Sequence, residues 1–203
     1  MPIDGIDPID PIDGIDPIDR IDRIDRIDRI DPIDRIDRID RIDNSDDFDG
    51  IDDTYDFFLG GWRVHRAITN HRQSLTGVFS GTATVAPCDR SAQIDLMTAE
   101  YREVGGLHMG TYRGAAHRRL RFLRQQDGAV VIAFDDGRPF ARCDLRSGRC
   151  EATHLCGGDR YDITWQVRTR QVVAEEWRVR GPEKDYVAAT LLWRLRPEDD
   201  RAA

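Results

Sequence analysis

The sequence lacks the short motifs by which several large enzyme classes are recognised. It contains no Gly-x-Ser-x-Gly turn for a nucleophilic serine, no glycine-rich phosphate-binding loop and no His-Glu-x-x-His zinc helix. Its four cysteines form no Cys-x-x-Cys pair, so the usual spacing of a zinc site is missing as well. The corresponding enzyme classes therefore have no support from the sequence, and we assign neither a catalytic residue nor a metal ligand.

The chain also lacks the segments that direct a protein into or across a membrane. No apolar run approaches the length of a membrane span, and no basic region followed by an apolar core opens the sequence. Cysteine is too sparse for a secreted disulfide framework. We therefore expect a cytoplasmic protein with reduced thiols and no membrane partner. Cys143 and Cys150 flank the Arg-Ser-Gly turn of a predicted hairpin and could face each other across it.

Charge is distributed unevenly along the chain. The formal charge is −8, but the first 50 residues hold 17 Asp against 7 Arg, which leaves residues 51–203 with a charge of +2. The arginines of this second part are spread over alternating strands instead of forming one basic patch. Because nucleic-acid binding depends on such a patch, we expect no nucleic-acid partner.

The first 50 residues are dominated by a tripeptide repeat. Ile-Asp-x occurs fourteen times between Ile3 and Asp43, with x being Arg, Pro or Gly. A period of three matches neither a helix nor a strand, so no apolar face forms. We predict that residues 1–50 are a disordered tail and that residues 51–203 form one folded domain. The period also suits a polyproline-type rod that presents a motif, but such a repeat is typical of an expanded coding repeat or a misplaced start.

Residues after the repeat follow an all-β pattern. A capped single helical turn is predicted at 52–59, and the rest consists of short runs rich in Val, Ile, Thr and aromatic residues, broken by turn residues. This pattern favours an antiparallel up-and-down β-barrel or a sandwich over alternating strands and helices. We predict eleven strands, near 62–68, 75–85, 94–104, 108–115, 118–125, 129–135, 139–145, 149–156, 161–168, 172–180 and 186–195.

Alternation along the strands assigns polar side chains to a common interior. Tyr101 and Glu103 are two residues apart and share a face, as do His154 and Cys156. On the strand at 172–180, one face is apolar apart from a single acid, Glu175. Facing inward, these side chains would surround an aromatic cavity with a few ionisable groups, which is typical of a small-molecule site.

Several strings in the folded part are similar to one family. The bacterial domain of unknown function 6314 resembles this chain over about Phe57 to Arg194, and the repeat lies outside the match. The resemblance implies a lipocalin-like (calycin-type) barrel and no established function. The strings that carry it are Leu59-Gly60-Gly61-Trp62 with Arg66, His154-Leu155-Cys156-Gly157-Gly158-Asp159-Arg160-Tyr161, and Gly181-Pro182-Glu183-Lys184-Asp185-Tyr186.

Our first functional hypothesis is a non-catalytic barrel that binds a small amphipathic or apolar ligand. Its ligand-binding residues are predicted to be Trp62, Phe79, Tyr101, Glu103, Phe134, Arg142, His154, Cys156, Tyr161 and Trp177, with Trp165 as a further ring of the cavity. Glu103 and Glu175 have a second interpretation as internal ion pairs with an arginine such as Arg66 or Arg142, because a buried carboxylate must be paired. The two interpretations are compatible, and the identity of the ligand and the oligomeric state stay open.

Two alternatives use the same interior. One is a lyase, isomerase or hydrolase with His154 or Glu103 as general acid or base. The other is a haem barrel, resembling the nitrobindin type, with His154 as axial ligand. A purely structural role for His154 is a hydrogen bond to Asp159 or to a backbone carbonyl. Lys184 lies in a predicted turn, where it would meet an anionic group only if it stood at the mouth of the barrel.

Overall fold

A computed structural model describes residues 50–88 and 97–195 of the protein. The predicted tail at 1–49, the first three residues of the strand predicted at 94–104, and residues 196–203 lie outside the described residues. Within the described ranges, no helix combines the length and hydropathy needed to cross a membrane.

The prediction of an all-β, antiparallel up-and-down barrel with a short N-terminal helix is confirmed. Each strand pairs with its neighbours in the chain, and the first pairs with the last, giving the order β6-β5-β4-β3-β2-β1-β10-β9-β8-β7. The sheet is nearly closed, with β6 and β7 as its two ends. The elements are α1 (Thr54–Phe58), β1 (Gly60–Asn70), β2 (Leu75–Pro87), β3 (Thr98–Met109), β4 (Tyr112–Arg124), β5 (Val130–Ala133), β6 (Pro139–Cys143), β7 (Arg149–Cys156), β8 (Asp159–Thr169), β9 (Val172–Arg180) and β10 (Asp185–Arg194).

The prediction of eleven strands is wrong, since the described residues form ten. The three strands predicted at 94–104, 108–115 and 118–125 are two long strands, β3 and β4. Gly105 and Gly106, interpreted as a break, lie inside β3, and the chain turns instead at Gly110, which has a φ of 58°. Gly105 pairs with Gly81 of β2. A Cβ built on Gly105 would lie 2.3 Å from the backbone oxygen of Ser80, so glycine is needed here for close strand approach and not for a turn.

The helix closes one end of the barrel. The Asp53 side chain accepts a hydrogen bond from the backbone N–H of Asp56 and so caps α1. Behind the helix, the fully buried Trp62 donates its indole N–H to the Phe58 carbonyl at 2.8 Å. The Arg194 guanidinium stacks 4.2 Å from a Trp62 ring centroid and donates to the Leu59 carbonyl at 2.9 Å. The last strand thereby holds the carboxyl end of α1 in place.

β6 and β7 are the two unpaired edges of the sheet, and the gap between them is a seam in the barrel wall. The hairpin predicted for these two strands is wrong in its pairing. A turn does form at its tip, since the Gly148 N–H donates to the Leu145 carbonyl at 2.8 Å, but within the described residues the two strands share no ladder. Leu145 is fully buried, and its N–H donates to the Thr54 hydroxyl at 2.9 Å. The loop between β6 and β7 is thus tied to α1.

Candidate functional site

The barrel interior contains a buried polar network centred on Glu103. The Arg66 guanidinium donates to both carboxylate oxygens of Glu103, at 2.8 Å each, and Arg118 donates to one of them at 3.1 Å. The Tyr101 hydroxyl donates to the same carboxylate at 2.6 Å. Arg66 is also fixed by a 2.9 Å bond from its Nε to the Thr190 hydroxyl. Strands β1, β3 and β4 therefore place three polar side chains around one carboxylate, and Thr190 of β10 holds one of them in position.

Electrostatics keep this carboxylate ionised. Burial opposes ionisation of Glu103, but the charges of Arg118 and Arg66 and the hydrogen bonds from Arg66 and Tyr101 outweigh it and hold its pKa well below the usual range. Burial and the Glu103 charge raise the pKa of Tyr101, which stays a neutral donor. Glu175, 7 % exposed, also favours the charged form of Arg118. Two arginines thus face two acids in the interior.

Two buried donors at this network have no hydrogen-bond partner among the residues that the structure describes. They are the Nε–H of Arg118 and the indole N–H of Trp177. The two side chains are in contact, with the Arg118 guanidinium 5.2 Å from the centre of the Trp177 ring. A buried donor without a partner costs about 1–3 kcal/mol, so this pair marks a position where an acceptor would be stabilised.

Arg118 and Trp177 border a small cavity of about 20 Å³. A volume of this size accommodates about one water molecule, so the side chains nearly fill the interior. Most of the cavity wall is aromatic or aliphatic, and Glu175 is the acidic side chain among the lining residues. The lining residues are Phe58, Tyr101, Arg118, Leu120, Phe122, Ile132, Phe140, Trp165, Glu175, Trp177 and Leu192.

His154 belongs to an aromatic cluster beyond this cavity. Its ring centroid lies 4.8 Å from Phe140, 5.8 Å from Phe134 and 6.0 Å from Tyr161. Burial lowers the pKa of His154, and a hydrogen bond to the backbone of Phe140 offsets part of that effect. The neutral imidazole is therefore favoured, and the bond agrees with the structural role in which His154 binds a backbone carbonyl.

Residues 154–161 and 181–186, two of the strings noted in the sequence, contact each other at the end of the barrel opposite α1. The Lys184 ammonium donates to the Tyr161 hydroxyl at 2.8 Å and forms an ion pair with Asp159 at 3.0 Å. Gly181, in the same loop as Lys184, approaches Asp159 so closely that an added Cβ would lie 1.8 Å from its carboxylate oxygen. Asp159 is thus paired with Lys184, and the predicted turn containing Lys184 is anchored to β8.

The structure places nine of the ten predicted ligand-binding residues in or against the core, and two of these, Tyr101 and Trp177, line the cavity. Trp62 packs instead against the helix, and Phe79 lies 5.3 Å from the Arg66 guanidinium. The buried members of the set are Trp62, Phe79, Tyr101, Glu103 and Tyr161, and the half-buried ones are Phe134, His154, Cys156 and Trp177.

Arg142 contradicts the prediction. Its side chain is 51 % exposed and pairs with Asp127 on the outer surface. Its neighbour Cys143 is fully buried and takes the inward position, so the alternation of β6 turns Arg142 outward.

Arg118 is the interior residue that the sequence interpretation missed. It lies directly opposite Glu103 in the β3–β4 register, and an unlike pair at that position is a recognisable cross-strand signal. The predicted break between the strands at 108–115 and 118–125 hides this signal. No group of three His, Cys, Asp or Glu side chains suited to a metal ion occurs among residues 50–88 and 97–195.

Comparison with known proteins gives a family and a fold. A profile described as "Family of unknown function (DUF6314)" matches residues 58–194. Among proteins with curated functions, none matches this sequence. A solved S-type phycobiliprotein lyase from Guillardia theta is 9 % identical, with 70 % of this chain and 90 % of that chain covered and a TM-score of 0.50. A de novo designed fluorescence-activating β-barrel is 14 % identical, with 71 % of this chain and 100 % of that chain covered and a TM-score of 0.37. At 9 % identity the likeness to the lyase is one of fold.

Proposed function

We propose that the chain, which belongs to the family of unknown function DUF6314, binds a small amphipathic molecule in the barrel interior without transforming it. Because the family has no established activity, the ligand has to be inferred from the interior itself. In this proposal a hydrogen-bond acceptor of the ligand faces Arg118 and Trp177. The apolar body of the ligand packs among the aromatic rings of the cavity wall.

The two partnerless donors at one cavity carry this proposal. A ligand acceptor that reached the Arg118 Nε–H or the Trp177 indole N–H would satisfy a buried donor that has no partner among the described residues. Arg118 already has Glu103 as its counter-ion, so the acceptor group of the ligand does not need to be charged. Phe122, Phe140 and Trp165 supply apolar surface beside this position. The ligand predicted on these grounds has one acceptor group and an apolar or aromatic body.

The size of the cavity sets a condition on binding. About 20 Å³ does not hold an organic molecule, so a ligand has to displace side chains of the wall. The Arg66–Glu103–Arg118 ion pairs fix the polar side of the site. Phe140 lies on β6, at the seam where the sheet has no ladder, and we infer that the wall gives way on this side.

The two alternatives fit the interior less well. Glu103 is held ionised by two arginines, which is unsuited to a general acid or base working near neutral pH. His154 is packed among rings and bonded to the Phe140 backbone, and a haem would need far more space than the cavity has. The solved barrel named as a phycobiliprotein lyase shares the fold with this chain, and the choice of ligand has to come from this chain's own interior.

The test uses 8-anilinonaphthalene-1-sulfonate, an amphipathic probe with an acceptor group and aromatic rings. We expect the full chain to enhance its fluorescence and Trp177→Phe to weaken binding about tenfold, because an aromatic side chain is kept while the indole N–H and its hydrogen bond, worth about 1.4 kcal/mol, are lost. Trp193→Phe is the matched control. Trp193 lies on the outward face of β10, because its two neighbours in the strand, Leu192 and Arg194, lie on the inward face.

Native mass spectrometry of protein from its own host provides the second arm of this test. A co-purified organic mass that is lost from Trp177→Phe and kept in Trp193→Phe supports the proposal. If no mass is captured and the probe binds wild type and Trp177→Phe equally, the interior is a filled core and the proposal is wrong.

A further inference from the structure

Two cysteines meet where the barrel wall is open. Cys143 ends β6 and Cys150 is the second residue of β7, so they lie on the two strand edges that form the seam. Their thiols are within hydrogen-bonding reach of each other. The Cys150 sulfur also lies 3.6 Å from the backbone oxygen of Arg142, the residue before Cys143. The pair is thus in contact without being linked by backbone pairing.

The two thiols occupy different environments. Cys143 is fully buried, and burial together with its contact to Cys150 raises its pKa well above the usual range. Cys150 is half-buried and accepts hydrogen bonds from the Cys143 thiol and the Asp144 backbone N–H, which lower its pKa to about 6 although burial opposes this. One sulfur is therefore an accessible nucleophile, and the other a protonated thiol directly behind it.

We propose that Cys143 and Cys150 form a reversible dithiol–disulfide couple that reacts with peroxides and ties the seam of the barrel covalently. Cys150 is the attacking residue and Cys143 the resolving residue. This inference goes beyond ligand binding, since it requires no bound molecule and concerns a different group of side chains.

The chemistry needs only hydrogen peroxide as oxidant. The Cys150 thiolate attacks one peroxide oxygen, the O–O bond breaks, hydroxide leaves, and Cys150 becomes a sulfenic acid. The Cys143 sulfur then attacks the Cys150 sulfur, the S–S bond forms, and the S–O bond breaks. The proton of Cys143 and the departing hydroxyl leave as water, so two thiols and one peroxide give one disulfide and two waters. A dithiol reductant reverses the step by thiol–disulfide exchange.

The position of the pair gives the disulfide a structural consequence. Among the described residues, β6 has a ladder only with β5, and β7 only with β8, so a bond between them converts an open edge into a closed one. The buried Leu145 loop between the strands already holds the two cysteines close. Oxidation is therefore expected to stiffen the seam instead of unfolding it.

The test measures intact mass after exposure to hydrogen peroxide in a Cys88→Ser/Cys156→Ser background. Cys88 is exposed and Cys156 is half-buried on the same strand as Cys150, so removing both leaves only the seam pair. We expect the monomer to lose about 2 Da, the mass of two hydrogens, and to regain it with dithiothreitol. We also expect the alkylation rate of Cys150 in the untreated protein to rise through an inflection near pH 6.

A further Cys150→Ser substitution in this background provides the control. It removes the half-buried thiol and spares the fully buried one, and we expect no mass loss and no reaction of Cys143 with peroxide. Oxidation of Cys150 to a sulfinic acid while Cys143 remains reduced would overturn the proposal. So would a seam pair that stays fully alkylatable after peroxide, or a wild-type disulfide that maps to Cys156.

Discussion

The carboxylate of Glu103 shows at the scale of one residue how an ionised group is tolerated in the barrel. Its side chain is 3 % exposed, yet it receives hydrogen bonds from two guanidinium groups and one phenol. Taking the charges out of water costs several kcal/mol, and the mutual attraction offsets this only while all partners stay in place. The network is therefore most sensitive to the loss of a single partner.

We predict that Glu103→Gln lowers the free energy of unfolding by about 3–5 kcal/mol, because it leaves Arg66 and Arg118 buried without a counter-charge. Urea denaturation at pH 7 measures the change. Glu100→Gln on the same strand is the control, since Glu100 is 40 % exposed and lies 3.9 Å from Arg119. We expect it to cost less than about 1 kcal/mol. Equal effects of the two substitutions would contradict the role of the network.

The same residue predicts a dependence on pH. The folded-state pKa of Glu103 lies below its value in the unfolded chain, so its stabilisation is fully present above about pH 4.3 and is lost as the pH falls further toward the folded-state pKa. The difference in unfolding free energy between wild type and Glu103→Gln should therefore be constant near neutral pH and shrink below about pH 4. A difference that grows in acid would show that Glu103 is not held as a carboxylate.

At the scale of the element, β2 and β3 depend on two facing glycines. Gly81 and Gly105 are register partners, and a Cβ on either would lie 2.7 Å from the Cα of the other. The obstacle is backbone, which cannot rotate away as a side chain would. The long strands of the barrel approach each other at this point only because both Cβ atoms are missing.

We predict that Gly105→Ala lowers the free energy of unfolding by about 2 kcal/mol or more, because the added methyl group forces the strands apart. Gly106→Ala is the matched control on the next residue, where an added Cβ meets no atom within 4 Å. It should be neutral or slightly stabilising, because alanine restricts the unfolded chain. Thermal and urea unfolding of the two variants measure the contrast, and a harmless Gly105→Ala would refute the close approach.

The same strands show what local patterns predict about elements. Alternation correctly placed Tyr101, Glu103 and Glu175 on inward faces, because side-chain direction in a strand depends on the backbone alone. Gly105 and Gly106 fall in the predicted gap between the strands at 94–104 and 108–115, because a glycine needed for close approach looks the same in sequence as one needed for positive φ. Only the neighbouring strand distinguishes the two uses.

At the scale of the whole molecule, the barrel is nearly closed, and the polar site lies inside it. The first strand pairs with the last over nine positions, and α1 covers one end. This closure requires contacts between residues more than a hundred positions apart, such as Arg66 with Thr190 and Arg194 with Leu59. The residues of this barrel that the structure describes begin at Gly50.

We propose that residues 1–49 make no contribution to the stability of this unit. In a domain of about 150 residues, a loss of 1 kcal/mol shifts the melting temperature by about 2 to 4 °C. A chain that begins at Gly50 should therefore melt within about 2 °C of the full chain, because the tripeptide repeat has no face to bury. Differential scanning calorimetry of both chains measures this, and a drop of more than about 5 °C would show that the repeat packs against the barrel.

The sequence by itself determined the all-β class and the inward faces that carry Tyr101, Glu103 and Glu175, because these follow from alternation and from turn residues over a few positions. The tertiary structure alone decided which arginine reaches Glu103, that Arg142 points outward, and that β6 and β7 stay unpaired. Those outcomes depend on how strands distant in the chain tilt and approach one another, and on where the buried Leu145 draws its loop. Local periodicity contains no information about such distances, so the contacts of the buried polar network are seen only in the tertiary structure.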